Sequence, residues 1–379
     1  MDIVESPKDF QNSLLEWFRE NGRDWIPWKF NKDGLIPKSG ELISPYEIWI
    51  AEVMLQQTQL KVVIPYWERW MKIFPSLTDL AEADLQNVLL LWQGLGYYSR
   101  ANRIHQSSKI LIEWVGFNKD QDPHSWPFSI DEWMALPGIG RSTAGSIVSS
   151  AFDLPTPILD GNVKRIFSRL LASECVSKKE EKRLWGLSSL LIPNLRPRDF
   201  NQALMDLGAL ICTPKKPNCS SCPLQKFCGA YVKYYPHDFP KKVMKKIKPI
   251  QEVGIGLVFN KNGELLIDQR LESSSMGGMW EFPGGKKNSD ESIEETIERE
   301  IEEEIGILVK VGAKLLSFEH SYSHMTLNFT VHFCEWKSGE TKALASQKLL
   351  WVLPEKLCNF PFPAANSKII SELYKNLGI

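Results

Sequence analysis

Apolar residues recur at intervals of three and four through the first part of the chain and at intervals of two in the last part. Phe10-Gln-Asn-Ser-Leu-Leu-Glu-Trp-Phe, Leu85-Gln-Asn-Val-Leu-Leu-Leu-Trp and Phe200-Asn-Gln-Ala-Leu-Met-Asp-Leu-Gly each present one apolar stripe at helical spacing. From the start to Tyr231 the pattern predicts helices punctuated by polar Gly- or Pro-containing segments, with Asn31 to Ser44 as a surface insertion. Beyond Glu252 the period changes. Val253-Gly-Ile-Gly-Leu-Val-Phe and Leu265-Leu-Ile flank Lys261-Asn-Gly, which predicts two strands joined by a tight turn. Between the two regimes, Tyr234 to Pro249 is rich in lysine and proline, so it neither packs nor continues a helix. The division that follows is a helical domain over 1–231, a basic linker over 232–250 and a mixed strand and helix domain over 251–379. There is no internal repeat.

With 379 residues, 43% of them hydrophobic, the chain has ample apolar side chains for two cores. A net charge of −1 gives no global sign of a polyanion partner, so any contact with nucleic acid must come from local patches and backbone donors. The opening MDIVESPKDF has no basic segment leading into an apolar core, and no apolar run is long enough to cross a bilayer. A cytoplasmic location without membrane contact is the expectation, nucleoid-associated if the source is bacterial. Of seven cysteines, Cys212, Cys219, Cys222 and Cys228 crowd together. In a reducing compartment that crowding points to a metal rather than to disulfides.

The spacing Cys212-x6-Cys219-x2-Cys222-x5-Cys228 supplies four thiolates from one short loop, which satisfies either zinc or a [4Fe–4S] cluster. Following a helix over Phe200 to Ile211, this spacing resembles the cluster loop of the endonuclease III superfamily, and that resemblance implies [4Fe–4S]. Lys215, Lys216 and Lys226 within the loop suit phosphate contacts or ordinary surface charge equally well.

Leu136-Pro-Gly138-Ile-Gly140-Arg-Ser142 joins two apolar helical segments through a glycine turn, and the helix start beyond it offers free N–H groups to a phosphate. Further on, Leu154-Pro-Thr-Pro-Ile-Leu-Asp160-Gly-Asn162 opens another helix. Hairpin, Pro/Gly-rich loop and aspartate in this order resemble the helix-hairpin-helix glycosylases. Tyr46-Glu-Ile-Trp-Ile-Ala-Glu52-Val-Met-Leu-Gln56-Gln57-Thr58-Gln59 and Leu91-Trp-Gln-Gly-Leu95-Gly-Tyr97-Tyr98-Ser-Arg100 resemble, within that superfamily, the adenine DNA glycosylases. The resemblance implies that Glu52 is the acid and Asp160 its anionic partner. Chemistry agrees, since cleaving the N-glycosidic bond needs a proton on the leaving base and a negative charge beside the developing oxocarbenium ion. Ile48-Trp49-Ile50 should desolvate Glu52 and raise its proton affinity, while backbone donors at a helix start should keep Asp160 ionised. Taken singly, each carboxylate is more commonly a helix cap or a solvated charge, and Asp160 especially resembles an N-cap.

Bifunctional relatives carry a nucleophilic lysine in the hairpin, where Ser142 stands here, so water is the expected nucleophile and the enzyme is expected to be monofunctional. By resemblance Gln57, Leu95 and Tyr97 fill the gap left by the everted adenine, and Gly138, Gly140, Ser142 and Asn162 join the DNA-binding set. Two departures from the family pattern are Ala51, where many relatives have serine, and Ser142, where some have tyrosine. Arg23-Asp-Trp-Ile-Pro-Trp28 resembles the start of the family's helical barrel, with both tryptophans expected in the core.

Trp280-Glu-Phe-Pro-Gly-Gly285-x5-Glu291-x7-Arg299-Glu300-Ile-Glu-Glu303-Glu304-Ile-Gly306 resembles a complete Nudix box. Glu300, Glu303 and Glu304 share a helix face suited to Mg²⁺, while Ile293, Ile297, Ile301 and Ile305 form a packing stripe on another. In the adenine glycosylases the corresponding box is usually degraded and the domain recognises 8-oxoguanine. Retention of the helix for fold alone, or hydrolysis of 8-oxo-dGTP, are both open. Phe318-Glu-His320-Ser-Tyr322-Ser323-His324 resembles the loop by which the family reads 8-oxoguanine, through hydroxyl and imidazole groups that can bond the lesion's N7–H and O8. His105 and His332 stand in no motif and read as structural.

The expected fold is therefore an all-α helix-hairpin-helix glycosylase domain with an iron–sulfur loop, plus an α+β Nudix-fold domain. The expected activity is excision of adenine opposite 8-oxoguanine or guanine in duplex DNA by a monomer. A Nudix pyrophosphohydrolase fused to a DNA-targeting module, and an iron–sulfur DNA-binding protein with an inactive pocket, are the rivals.

Overall fold

The computed structural model describes residues 6–117, 119, 122–173, 177–233, 235–241, 248–322 and 325–379. The contacts divide the chain into two compact units, Met1–Glu82 with Gln106–Met244, and Ala83–His105 with Lys245–Ile379.

The first unit draws on helices α1 (Pro7–Asn21), α2 (Pro45–Leu55), α3 (Leu60–Ile73), α4 (Leu77–Glu82), the later part of α6 (Ser99–Val115), and α7 (Ile130–Met134). It continues with α8 (Arg141–Phe152), α9 (Gly161–Leu170), α10 (Lys178–Leu191), α11 (Pro197–Leu210) and α12 (Gly229–Val232). One core joins α1, α9, α10 and α11 through Phe10, Val163, Phe167, Leu187, Phe200 and Leu204, all buried. A second assembly is aromatic: Trp49 of α2 packs against Trp133 of α7 with ring centroids 6.3 Å apart, and Trp70 donates to the Tyr46 hydroxyl at 3.1 Å. Trp28 is buried as expected, but Trp25, in the turn between α1 and Trp28, is 57% exposed.

The second unit holds α5 (Leu85–Trp92) and seven strands, β1 (Ile250–Phe259), β2 (Leu265–Gln269), β3 (Trp280–Glu281), β4 (Gly284–Lys286), β5 (Ile307–Ser321), β6 (Thr326–Gly339) and β7 (Lys348–Val352). The sheet runs in the order β3-β2-β1-β6-β5, with β4 on β1 and β7 on β2. Only the β1 and β6 pairing is parallel among the described strands. Helices α13 (Ile293–Ile305) and α14 (Ala364–Leu377) cover it. The alternation in Val253-Gly-Ile-Gly-Leu explains how: Val253, Ile255 and Leu257 enter the core shared with Ile369 and Leu373 of α14. Gly254 and Gly256 face α13, where a Cβ would lie 2.8 Å from Ile297 and 2.6 Å from Ile301. Without side chains at those two positions the helix lies directly on the strand.

The sequence boundaries shift slightly. Helix α12 reaches Val232 and β1 starts at Ile250, so each end of the expected linker belongs to an element. Phe318 to Ser321 lie in β5 rather than in a loop, paired with Thr326 to Phe329. Residues 83–105 group with the strands: the Gln86 amide donates to the Gly278 carbonyl at 2.9 Å and accepts from Trp280 Nε1 at 2.8 Å.

Candidate active site and cysteine loop

Helix α2 is apolar on every face, with Tyr46, Ile48, Trp49, Ile50, Ala51, Val53 and Met54 buried, so it runs through the unit rather than along its surface. Ser44 caps it by accepting from the Glu47 N–H at 3.2 Å. Glu52 is thereby carried into the interior at the floor of a cavity of about 860 Å³. Desolvation there pushes its carboxyl up to about 7, with a further rise from the Asp160 charge, opposed by the Ser146 hydroxyl.

Asp160 lines the same cavity as the N-cap of α9, its Oδ1 accepting from the Val163 N–H at 2.8 Å. The expectation that backbone donors at the helix start hold it ionised is met only in part: the donors are present, but they are outweighed. Burial dominates and raises its proton affinity, while the Val163 N–H, Arg165 and Asn162 oppose the rise. Gly145 of α8 brings Asp160 to this place. A Cβ at Gly145 would sit 2.4 Å from the Pro157 carbonyl, so glycine alone allows the Leu154–Asp160 segment to press against α8. Thr156 Oγ1 donates to the Gly145 carbonyl at 2.7 Å and fastens the contact.

Of the residues expected to touch DNA, Gln57, Ser142 and Asn162 line this cavity. Gln57 is exposed and held at φ +59°, a strained conformation for a side-chain-bearing residue. Ser142 is less free than expected: its Oγ accepts from the Leu159 N–H at 3.0 Å and so braces the loop that ends in Asp160. The Asn162 side chain accepts from Arg165 Nη2 at 2.9 Å. Gly138, at φ +82°, and Gly140 are exposed at the hairpin turn. Arg23 and Gln202 also line the cavity and were not singled out from the sequence. Arg23 is clamped to the buried Asp206 through Nη2 at 2.7 Å and its backbone N–H at 2.8 Å, while Gln202 reaches the same carboxylate at 2.9 Å. The four-residue step from Gln202 to Asp206 on α11 was the available signal.

The second unit carries Leu95, which is buried, and Tyr97, which is 46% exposed at φ +48°. Arg100 stiffens their loop by donating to the Gly96 carbonyl at 3.1 Å beneath the Tyr97 ring. At the end of β5, the Tyr322 N–H donates to the Met325 carbonyl at 2.8 Å, and His320 packs edge-on to Tyr322 with centroids 4.7 Å apart. Ser323 and His324 lie outside the described residues.

Four cysteines, Cys212, Cys219, Cys222 and Cys228, line one small cavity. Burial and the neighbouring sulfurs push Cys222 up to about 12 and raise Cys219 and Cys228 as well, so without a cation these three favour the thiol. A soft, positively charged centre suits these donors. The buried Arg169 locks the loop, donating to the carbonyls of Thr213 at 2.8 Å and Phe239 at 3.0 Å and to Cys212 Sγ at 3.2 Å.

The isoleucine stripe of α13 packs as expected, with Ile297, Ile301 and Ile305 buried and Ile293 partly so. The acidic residues do not act as one face, however. Arg299 holds Glu291 at 2.7 Å, Glu300 at 2.9 Å and Glu303 at 3.1 Å. Glu304 turns instead into a cavity of about 100 Å³ shared with Asp268 and Glu281, and desolvation pushes it up to about 7. Among the described residues no three His, Cys, Asp or Glu side chains are arranged around a single ion position. The buried Asp268 Oδ2 nonetheless has no hydrogen-bond partner, and hard carboxylate oxygens are the donors Mg²⁺ takes. His105 and His332 are structural, bonded to the carbonyls of Ala83 and Gly312, each at 2.9 Å.

Three family models match the chain. Residues 50–189 match the HhH-GPD superfamily base excision DNA repair protein, 212–228 the iron-sulfur binding domain of endonuclease III, and 254–372 the NUDIX domain. Among curated proteins, an adenine DNA glycosylase of Buchnera aphidicola subsp. Schizaphis graminum is 38% identical over 321 residues, covering 84% of this chain and 85% of its own. Its counterpart from Buchnera aphidicola subsp. Acyrthosiphon pisum is 32% identical over 97% of this chain and 98% of its own, and that of Mus musculus 32% over 95% and 77%. Among solved structures, a thermostable thymine-DNA glycosylase superposes with a TM-score of 0.51 at 25% identity, over 60% of this chain and 98% of its own.

Proposed function

Since the chain belongs to the adenine DNA glycosylases, we propose that it excises adenine paired with 8-oxoguanine or guanine in duplex DNA and so initiates base excision repair. The observation carrying this reading is the pair Glu52 and Asp160 in one cavity, the first desolvated enough to hold a proton near neutral pH. A cavity of about 860 Å³ accommodates an everted purine nucleoside. Glu52 delivers its proton to the leaving adenine, and the C1′–N9 bond breaks with its electron pair going to the base. Asp160, ionised once the sugar carries positive charge, stabilises the oxocarbenium ion, and water adds to C1′. Ser142 has no amine, so no Schiff base forms and the enzyme releases base without cutting the strand.

Gln57 and Tyr97, both exposed, fill the vacated stack, while Leu95, expected to join them, is buried and supports the loop that carries Tyr97; Gly138, Gly140 and Asn162 bind the backbone; and Tyr322, Ser323 and His324 read the opposite 8-oxoguanine. Cys212, Cys219, Cys222 and Cys228 hold a [4Fe–4S] cluster, which ties together a loop whose Leu224 and Phe227 enter the core built on α1, α9, α10 and α11. The protein acts as a monomer in the cytoplasm, at the nucleoid if bacterial. The test is base release from defined duplexes, with A:8-oxoguanine fastest, A:G slower and G:T inert. Release of thymine from G:T at a comparable rate overturns the assignment.

A second reading, Mg²⁺-dependent hydrolysis of 8-oxo-dGTP, is favoured by the complete Nudix box and by the carboxylate-lined cavity beside it. Glu304, with Glu300 and Glu303 once released by Arg299, would hold the ion, which supplies charge neutralisation at the pyrophosphate. Incubating the full-length protein with 8-oxo-dGTP and Mg²⁺ decides it: absence of turnover in folded, DNA-active protein eliminates this reading.

A further inference from the structure

Ser146 has no role in any motif, yet it lines the cavity that holds Glu52, the acid of the proposed chemistry. It lies on α8, one turn beyond Ser142, so both face the cavity that contains Glu52 and Asp160. Ser142 spends its hydroxyl on the Leu159 N–H, and Thr143 accepts from Gln56 at 3.3 Å. Ser146 is 4% exposed, and its Oγ makes no hydrogen bond of normal geometry, not even the bond to the carbonyl four residues back that helical serines commonly form. A buried hydroxyl left over in this way is unfavourable unless something engages it. The group beside it is the Glu52 carboxyl.

We propose that Ser146 is a positioning residue for Glu52: its otherwise unpartnered hydroxyl donates to the carboxyl and aims it into the cavity that both residues line. This rests on Glu52 being the acid of the proposed reaction. The surroundings leave Ser146 this task. Helix α8 packs against α2 and carries a single titratable residue, Arg141, which lies over the Trp185 ring at 4.1 Å. Around the main cavity the charged groups facing Glu52 are Asp160, Arg23 from the loop before Trp28, and Lys61 of α3. Arg23 is committed to Asp206. A second cavity of about 230 Å³ also reaches Glu52 and is lined by four bases, Arg19, Lys29, Arg196 and Arg198, and two acids, Asp24 and Asp199; Arg196 is paired with Asp199 at 2.7 Å, Lys29 with Asp206 at 3.7 Å and Arg19 with Glu20 at 3.6 Å. Ser146 is thus the neutral donor that favours the ionised carboxyl over the protonated one, against desolvation and the Asp160 charge that do the reverse.

The experiment is the pH profile of single-turnover adenine release from an A:8-oxoguanine duplex for the full-length holoenzyme, Ser146→Ala and Ser146→Thr. Alanine suits a helix interior and adds no atoms, so the first variant is expected to fold. The limb in which activity falls with rising pH should move to higher pH by roughly half a unit or more in Ser146→Ala, and the hydroxyl of Ser146→Thr should return it toward wild type. Superimposable wild-type and alanine profiles, or equal displacement in both variants, overturn the role given to Ser146 while leaving Glu52 in place. A wild-type profile with no such limb removes the acid itself, and with it this proposal.

Discussion

Arg169 Nη1 donates to Cys212 Sγ at 3.2 Å from a guanidinium that is otherwise wholly spent on backbone carbonyls. An arginine on α9, 2% exposed, therefore fixes both the path of the cysteine loop and the electron density on one of its sulfurs. Arg169→Met keeps the volume and removes every donor, leaving buried carbonyls unpaired at about 1–3 kcal/mol each. The expected outcome is less iron per chain and a lower melting temperature, read by metal analysis and thermal denaturation of the same preparation.

On the proposed function Ser142 stands where a lysine would make a Schiff base, and its hydroxyl accepts from the Leu159 N–H at 3.0 Å. Ser142→Lys should therefore lose about 1 kcal/mol of stability and gain a covalent complex with DNA that borohydride traps. The wild-type protein should give no trapped complex under the same conditions.

Glu52, raised from an ordinary 4.5 to about 7, sets the direction of the pH dependence. A general acid works only while protonated, so adenine release should fall as pH rises through about 7. The sign for stability is the same. The folded protein binds this proton more tightly than the unfolded chain, so the contribution is complete below 4.5 and is lost as pH climbs to about 7. Chemical denaturation in that window should show Glu52→Gln losing less stability than wild type on going up in pH.

Gly145 gives the loop before Asp160 its seat on α8. Gly145→Val places carbon where the Pro157 carbonyl lies and displaces that loop, costing about 1–3 kcal/mol and more than tenfold in adenine release. Binding of undamaged duplex, measured by fluorescence anisotropy, should change far less than the release rate.

How much of this was legible beforehand depended on whether a residue's neighbours were near in sequence. The switch from helical to strand spacing near Glu252 placed both folds, and the Val-Gly-Ile-Gly alternation already contained the two faces of β1. Glu52 was visible because the apolar residues that desolvate it are its own helix neighbours. Asp160 was only half visible: the helix start announced the Val163 bond, whereas the burial that outweighs it has no signature in the flanking sequence. Arg169, Arg23 and Gln202 were not seen, since each acts on partners far along the chain or shared through one buried carboxylate. The three glutamates of α13 shared a face by spacing, but a single arginine one residue before Glu300 divided them.

The most direct test of the account is single-turnover release of adenine from an A:8-oxoguanine duplex by Glu52→Gln. An amide of the same shape cannot deliver the proton, so the rate should drop by about a hundredfold or more while duplex affinity is retained. Release at the wild-type rate would contradict the assignment of Glu52 as the acid.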